Sequence, residues 1–219
     1  TERPVASIDL KRRRVTTSDG EVIAYGKLIS TMPLSDVIDA CARGGDLPDD
    51  VGQARRLLRA TTVSHLDVLA QGSNHDQEGS WDGVGQPHWT YFPEAQFPFY
   101  RVGSFSAVEP KMTDADTRNF YVEIAHRGER QIDTEVQACL EGLSAAGLID
   151  GPSSVLSVAI EHVPSAYVLQ DPNYKHSRQT LLDYLARHDV LSTGRYGNWE
   201  YSAMEDALKH GRAAAAWAE

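Results

Sequence analysis

"GRYGNWEYSAMEDALKHG", residues 194–211, sets the terms for the whole chain. Two glycines and three aromatics crowd its first eight residues, and an amphipathic helix then begins. Ser202 and Glu205 form an S-x-x-E capping box, in which the serine caps the Glu205 amide and the glutamate reaches back. Glu205 and Asp206 fall in the first turn, with Lys209, His210 and Arg212 after them, an order that suits the helix dipole. Ala203, Met204, Ala207, Leu208, Gly211, Ala214 and Ala215 share one broad face, small enough for close approach to a sheet or another helix. The start of such a helix leaves backbone N–H groups free for a phosphate, a carboxylate or a group that becomes anionic. It equally serves as a plain, well-packed connection.

Upstream of this helix, strands and helices mix without regular alternation. Residues 5–31 read as strands, with Asp19-Gly20 as the two-residue turn of a hairpin. "LISTMPL" (28–34) is a short apolar strand halted at Pro33. Helical patterns follow over 34–42 and 50–59, then an alternating strand over 61–71. Residues 72–88 form a polar, glycine-rich loop. Further strands are expected over 119–126, 154–164 and 165–170, and helices over 132–146, 174–189 and 203–217. The fold class is therefore α+β: a mixed, mostly antiparallel sheet with flanking helices, without the regular strand–helix alternation of a complete doubly wound sheet.

The 219 residues carry a net charge of −10, which disfavours a general nucleic-acid surface. The basic run Lys11-Arg12-Arg13-Arg14 reads as a solvated strand beside a turn. Cys41 and Cys139 read as buried free thiols in a reducing, cytoplasmic setting. No apolar run approaches the ~20 residues of a membrane span. The chain begins at Thr1, which favours a cleaved or excised piece.

Eight histidines show no H-x-H or H-E-x-x-H spacing, and there is no C-x-x-C. His75, Asp76 and Glu78 could hold a cation, but read better as a solvated loop. No G-x-S-x-G elbow supports serine hydrolase chemistry. Glu123 and Glu161 lie in strands, as buried acids or as ordinary paired residues. The segment 89–101 offers Trp89, Tyr91, Phe92, Phe97, Phe99 and Tyr100 as the wall of a substrate pocket or as the core of a sheet. Arg101 within it could bind an anion, and Tyr167 is a second wall candidate.

"GRYGNWEYSAMEDALKHGRAAA" (194–215) resembles the C-terminal signature of the flavin-dependent amine oxidase superfamily, in the branch of UDP-galactopyranose mutase and protoporphyrinogen oxidase. "LISTMPL", "FYVEIAH" (120–126) and "SAYVLQDPNY" (165–174) resemble further landmarks in the same order. The resemblance implies FAD as cofactor. Gly194 and Arg195 would then lie along its pyrophosphate or ribityl chain, and Gly197 would allow close backbone approach. Trp199 and Tyr201 would wall the cofactor or substrate, and the amides of Met204 and Glu205 would face the flavin pyrimidine edge. Tyr91, Tyr100, Arg101 and Tyr167 would line the site for a small-molecule substrate.

It implies three segments: 1–33 as strands to and from the FAD-binding domain, 34–190 as substrate domain, and 191–219 as flavin-contacting loop and helix, packed on the FAD domain. The dinucleotide fingerprint G-x-G-x-x-G is absent; Gly83-Val84-Gly85 and Gly44-Gly45 do not supply it. A Rossmann FAD-binding half would therefore come from the same precursor or from a second subunit, making a hetero-oligomer. The alternative is a flavin-free module that binds a sugar nucleotide or a partner protein.

Overall fold

The structure is a computed structural model that describes residues 2–72, 88–114, 116–128, 130 and 132–219; the side chain at 133 is also outside it. The loop residues His75, Asp76 and Glu78 and the Gly83-Val84-Gly85 run lie outside the described residues. The chain divides into two compact units: one formed by Thr1–Ala60 with Tyr167–Glu219, the other by Thr61–Ala166.

The first unit opens with an antiparallel meander of β1 (Val5–Asp9), β2 (Arg14–Thr17) and β3 (Val22–Ala24). The basic run is the exposed turn between β1 and β2, where Arg12 pairs with Asp9 and Arg13 with Asp189. The β2–β3 turn is longer than Asp-Gly predicts. Only Gly20 takes a positive φ, of 87°, and Thr17 and Glu21 close the loop through Thr17 N–H to Glu21 C=O. A three-residue loop needs one left-handed residue at its end, and glycine adopts it at least cost.

β4 (Leu28–Ser30) leads into α1 (Leu34–Gly44) and α2 (Asp49–Leu57). Both helices start directly after a proline, with aspartates in the first turn and arginines in the last. Leu34, Val37, Ile38 and Cys41 of α1 join Val51 of α2 in the core of this unit.

The second unit is a five-stranded sheet in the order β6-β7-β8-β5-β9. Its strands are β5 (Ala60–Gln71), β6 (Trp89–Tyr91), β7 (Arg101–Gly103), β8 (Thr117–His126) and β9 (Val155–Val168). β5 pairs antiparallel with β8 from Thr62↔His126 to Gln71↔Thr117. Alternation along β5 sends Leu66, Val68 and Ala70 to one face, where α3 (Val136–Ala145) supplies Cys139, Leu140 and Leu143 to the same core. The helix expected over 132–146 starts as a 3-10 turn, Ile132–Glu135, before α3.

The two strands expected over 154–164 and 165–170 are one continuous strand, β9. Pro164 sits inside it, and β9 is the edge of the sheet, where a missing N–H breaks no interior ladder.

Back in the first unit, α4 (Tyr174–Ala186) adds Leu181, Tyr184 and Leu185 to the core. β10 (Val190–Ser192) pairs parallel with β4. Then come α5 (Gly194–Gly197), a single turn where strand and loop were expected, and α6 (Met204–Ala218). The α+β class with mostly antiparallel sheets and a C-terminal helix is the one expected. Both cysteines are free and buried. Among the described residues, no helix is long and apolar enough to cross a membrane.

Candidate functional site

The 194–211 stretch is held from behind. β10 and β4 run side by side, and the Thr193 N–H donates to the Ser30 carbonyl at 2.9 Å. The α5 turn then brings Gly197 down onto these strands. A Cβ there would lie 3.0 Å from the Ser30 oxygen and 3.1 Å from Ser192 Oγ. The close approach that Gly197 allows is thus to its own sheet. Trp199 is also turned inward: it is 2% exposed, sits in the core of the first unit, and holds a φ of 51°. Tyr174 Oη donates to its carbonyl at 2.8 Å.

A polar clamp fixes the rest of the loop. Arg178 of α4 donates to the Asn198 carbonyl and, at 3.1 Å, to Glu200. Glu200 also accepts from Asn198 Nδ2 at 3.2 Å and lies 3.3 Å from His210 Nε2 of α6. One carboxylate therefore ties together α4, the loop and α6.

The expected capping box is displaced by one residue. Ala203 is the N-cap, and the Asp206 carboxylate accepts from its N–H at 2.9 Å. The Ala207 N–H closes the first turn on the Ala203 carbonyl at 3.1 Å. Ser202 turns away: its Oγ is buried without a hydrogen-bond partner among the described residues, as is Trp199 Nε1 nearby in the loop. Among the described residues, no side chain caps the α6 amides. Met204 is 87% exposed and Glu205 is exposed too.

Three of the sequence candidates meet at this point. The Arg195 guanidinium lies over the Tyr201 ring at 4.9 Å and the Tyr167 ring at 5.4 Å, and the two rings stack 6.4 Å apart. Arg195 also donates to the Ser202 carbonyl at 3.2 Å. Gly194, at a φ of 81°, starts the turn that carries Arg195. The arrangement is a cation held against two aromatic faces beside an uncapped helix start.

The second unit repeats the motif. Arg101 lies over the Tyr91 and Tyr100 rings, at 5.8 and 5.7 Å. Its fork grips Glu123, with Nη2 to Oε1 at 2.6 Å and Nε to Oε2 at 2.9 Å, and Tyr100 Oη donates to the same carboxylate. Burial works against the charge on Arg101, but the hydrogen bonds and charge of Glu123 outweigh it and hold the guanidinium above its usual range.

The aromatic segment splits between its two readings. Phe92, Phe97 and Phe99 pack edge-on and stacked into the core, whereas Trp89 and Tyr91 are exposed. Period-two alternation decides this: Trp89, Tyr91, Arg101 and Glu123 are in register on the face away from α3.

That face also carries Glu161, exposed and paired rather than buried, with two residues the sequence did not single out. His65 Nε2 sits 3.3 Å from Glu161 and 3.6 Å from Asp67. A cavity of about 340 Å³ opens beside Asp67, Leu69, Phe105 and Asn119. The partner of His65 on β9 depends on pairing across 96 residues, which has no local signal. Among the described residues, no group of three His, Cys, Asp or Glu side chains could hold a metal ion.

These two units make up a fold found within larger enzymes, in agreement with the resemblance carried by residues 28–34, 120–126, 165–174 and 194–215. Among solved structures, it is similar to reduced UDP-galactopyranose mutase, with a TM-score of 0.75, 21% identity, and coverage of 90% of this chain and 41% of that one. It is also similar to a putative protoporphyrinogen oxidase from Exiguobacterium sp. 255-15, with a TM-score of 0.66, 12% identity and coverage of 97% and 45%. A CLA-producing fatty acid isomerase from P. acnes gives 0.64, 13% and coverage of 98% and 47%. The chain spans less than half the length of each of these structures. No family model matches it.

Proposed function

We propose that the chain is the substrate-binding and flavin-contacting portion of a FAD-dependent oxidoreductase or mutase. It would work with a G-x-G-x-x-G nucleotide-binding half from the same precursor or from a second subunit. The observation that carries this reading is the start of α6: amides that no side chain caps, with Arg195 between two tyrosines beside them. The residues there fit a flavin. The exposed first turn and the guanidinium are what an anionic, hydrogen-bonding ring system would engage.

Bound FAD would supply the electron transfer or the nucleophile. The Met204 and Glu205 amides would hold its pyrimidine edge, and Arg195 its phosphate or ribityl oxygens. Tyr201 and Tyr167 would wall it. Gly197 and Trp199 would act from behind, by fixing the loop on β4 and β10. Tyr91, Tyr100 and Arg101 would receive a small-molecule substrate in the second unit, with Glu123 orienting the arginine fork.

The companion half would dock on the first unit. β4 and β10 are a parallel pair of three residues each, and parallel strands ordinarily belong to larger, covered sheets. Ile29 of β4 is exposed, and so are Met204 and Leu208 of α6, at 87% and 76%. Exposed apolar side chains of this kind suit contact with a Rossmann sheet and its helices.

A second reading is a flavin-free module that binds a sugar nucleotide or a partner protein. Asp206 and Glu205 favour it, because their carboxylates already sit at the positive end of α6. An absorbance spectrum from roughly 350 to 500 nm, recorded with added FAD and with or without a G-x-G-x-x-G companion, separates the two. A flavin band that appears with the companion and is lost in Arg195→Ala supports the first. A spectrum that stays flat with every companion that binds the chain supports the second.

A further inference from the structure

On the sheet face opposite Arg101 and Glu123, a hydrogen-bonded line of side chains crosses three strands of the second unit. Ser64 on β5 is fully buried. Its Oγ lies 2.9 Å from Nε2 of His126, the last residue of β8, and 2.7 Å from Nδ1 of His162 on β9. The other ring nitrogen of His126, Nδ1, lies 2.9 Å from the Gly128 carbonyl. His126 is half-buried and His162 is exposed.

The chemistry of the groups fixes the direction of this line. A carbonyl only accepts, so His126 carries its hydrogen on Nδ1. In the neutral ring Nε2 is then an acceptor, and the Ser64 hydroxyl donates to it. The Ser64 oxygen is left to accept from His162 Nδ1–H. The line therefore runs from His162 through Ser64 to His126 and on to Gly128, with every hydrogen placed.

A serine donating to a histidine is also how a nucleophile is activated, but a fully buried Oγ admits no acyl group. The line can instead carry a proton. A first added proton has two satisfied positions. It can sit on the exposed Nε2 of His162 with the direction unchanged. It can also sit on His126 Nε2, whereupon Ser64 turns to donate to His162 Nδ1 and the line reverses. A second proton has none. Both ring nitrogens that face Ser64 then carry hydrogens, and the buried hydroxyl hydrogen loses its acceptor while two cations face each other.

Among the described residues, the other titratable and charged groups around the line are few. His65 and Glu161 neighbour it on β5 and β9, but alternation turns them to the opposite face of the sheet. Arg127 follows β8 and is exposed. On the α3 side, the Arg130–Glu135 pair is mutually satisfied and the Cys139 thiol is held neutral by burial.

We propose that Ser64 joins His126 and His162 into one shared proton site, which accepts a single proton and moves it between the exposed β9 edge and the turn after β8 by reversing the hydrogen-bond line. Two coupled groups of this kind titrate in macroscopic steps that belong to the pair rather than to either ring.

The test is a pH titration of the full chain, followed by long-range nitrogen–proton NMR of the imidazoles. At alkaline pH, His126 is expected as the Nδ1–H tautomer. On acidification, both rings should respond together in one shared first step, with a separate second step. Ser64→Ala should replace this with two independent single-step titrations. Should Ser64→Ala not fold, His162→Gln keeps a hydrogen-bonding partner for Ser64 at an exposed position and should leave His126 with one simple step. Independent titrations in the unaltered chain, an Nε2–H tautomer of His126, or coupling that persists in Ser64→Ala would each overturn the proposal.

Discussion

Gly197 has space for a hydrogen and little more. The Cβ of an alanine would press on the Ser30 carbonyl, which is pinned by its hydrogen bond to Thr193. Gly197→Ala is therefore expected to destabilise the chain by about 1–2 kcal/mol. Urea unfolding without any flavin checks this; an unchanged midpoint would return Gly197 to a role in ligand contact alone. The two thiols give a second residue-scale prediction. Burial pushes Cys41 from its ordinary 9.0 to about 12, and Cys139 to about 11, with Glu135 adding to the latter. Burial raises Tyr25, Tyr174 and Tyr184 as well. A raised folded pKa means the native state holds its proton more tightly than the unfolded chain does. Stability from these groups is present in full below pH 9 and is lost as pH climbs toward 11–12. Denaturant midpoints that fall steadily above pH 9 are the expected result, and midpoints that stay level would contradict the burial.

At the scale of elements, α6 divides its labour. Its N-terminal turn and its outer face are exposed, while Ala214 packs inward and Glu200 grips His210. Leu208 touches water over three-quarters of its surface, so Leu208→Glu should shift folding stability by less than about 0.5 kcal/mol. The same change puts a charge in the apolar surface assigned to the companion half. Pull-down or titration with that half should lose most of its binding, while the melting temperature of the free chain stays put. Equal binding by the variant would remove α6 from the docking surface. β9 illustrates how an element can defeat a local reading. Pro164 marks a break in any interior strand, and only the edge position of β9 lets the strand run through it.

For the whole molecule, two separate cores organise the chain: one around α1, α2 and α4, the other between α3 and the five-stranded sheet. Each carries its own arginine between two tyrosines. The chain spans under half the length of the structures it resembles, and its first unit carries a two-stranded parallel pair and an exposed helix start. The flavin spectrum is the prediction at this scale: a band with the companion half, and none from the chain alone, because the residues that would grip the AMP end of FAD are not among those present.

The α+β class, most helices, the long strand over 61–71, the buried thiols and the exposure of the basic run were legible in the residues alone, though that run was read as strand and is mostly turn. Each rests on a pattern of a few neighbouring positions: a period of two or 3.6, a proline, a charge in the first turn. Arg195 and Tyr201 were marked by the resemblance that residues 194–215 carry, not by their spacing. Tyr167 joins them only through folding. The same holds for Glu123 in the fork of Arg101, for His65 against Glu161, and for Ser64 between His126 and His162. Those contacts form between strands separated by 22 to 98 residues, and the register that aligns them is set by the burial of one sheet face against α3. Local sequence specifies which elements form; which side chains meet is decided when those elements hide their apolar faces together.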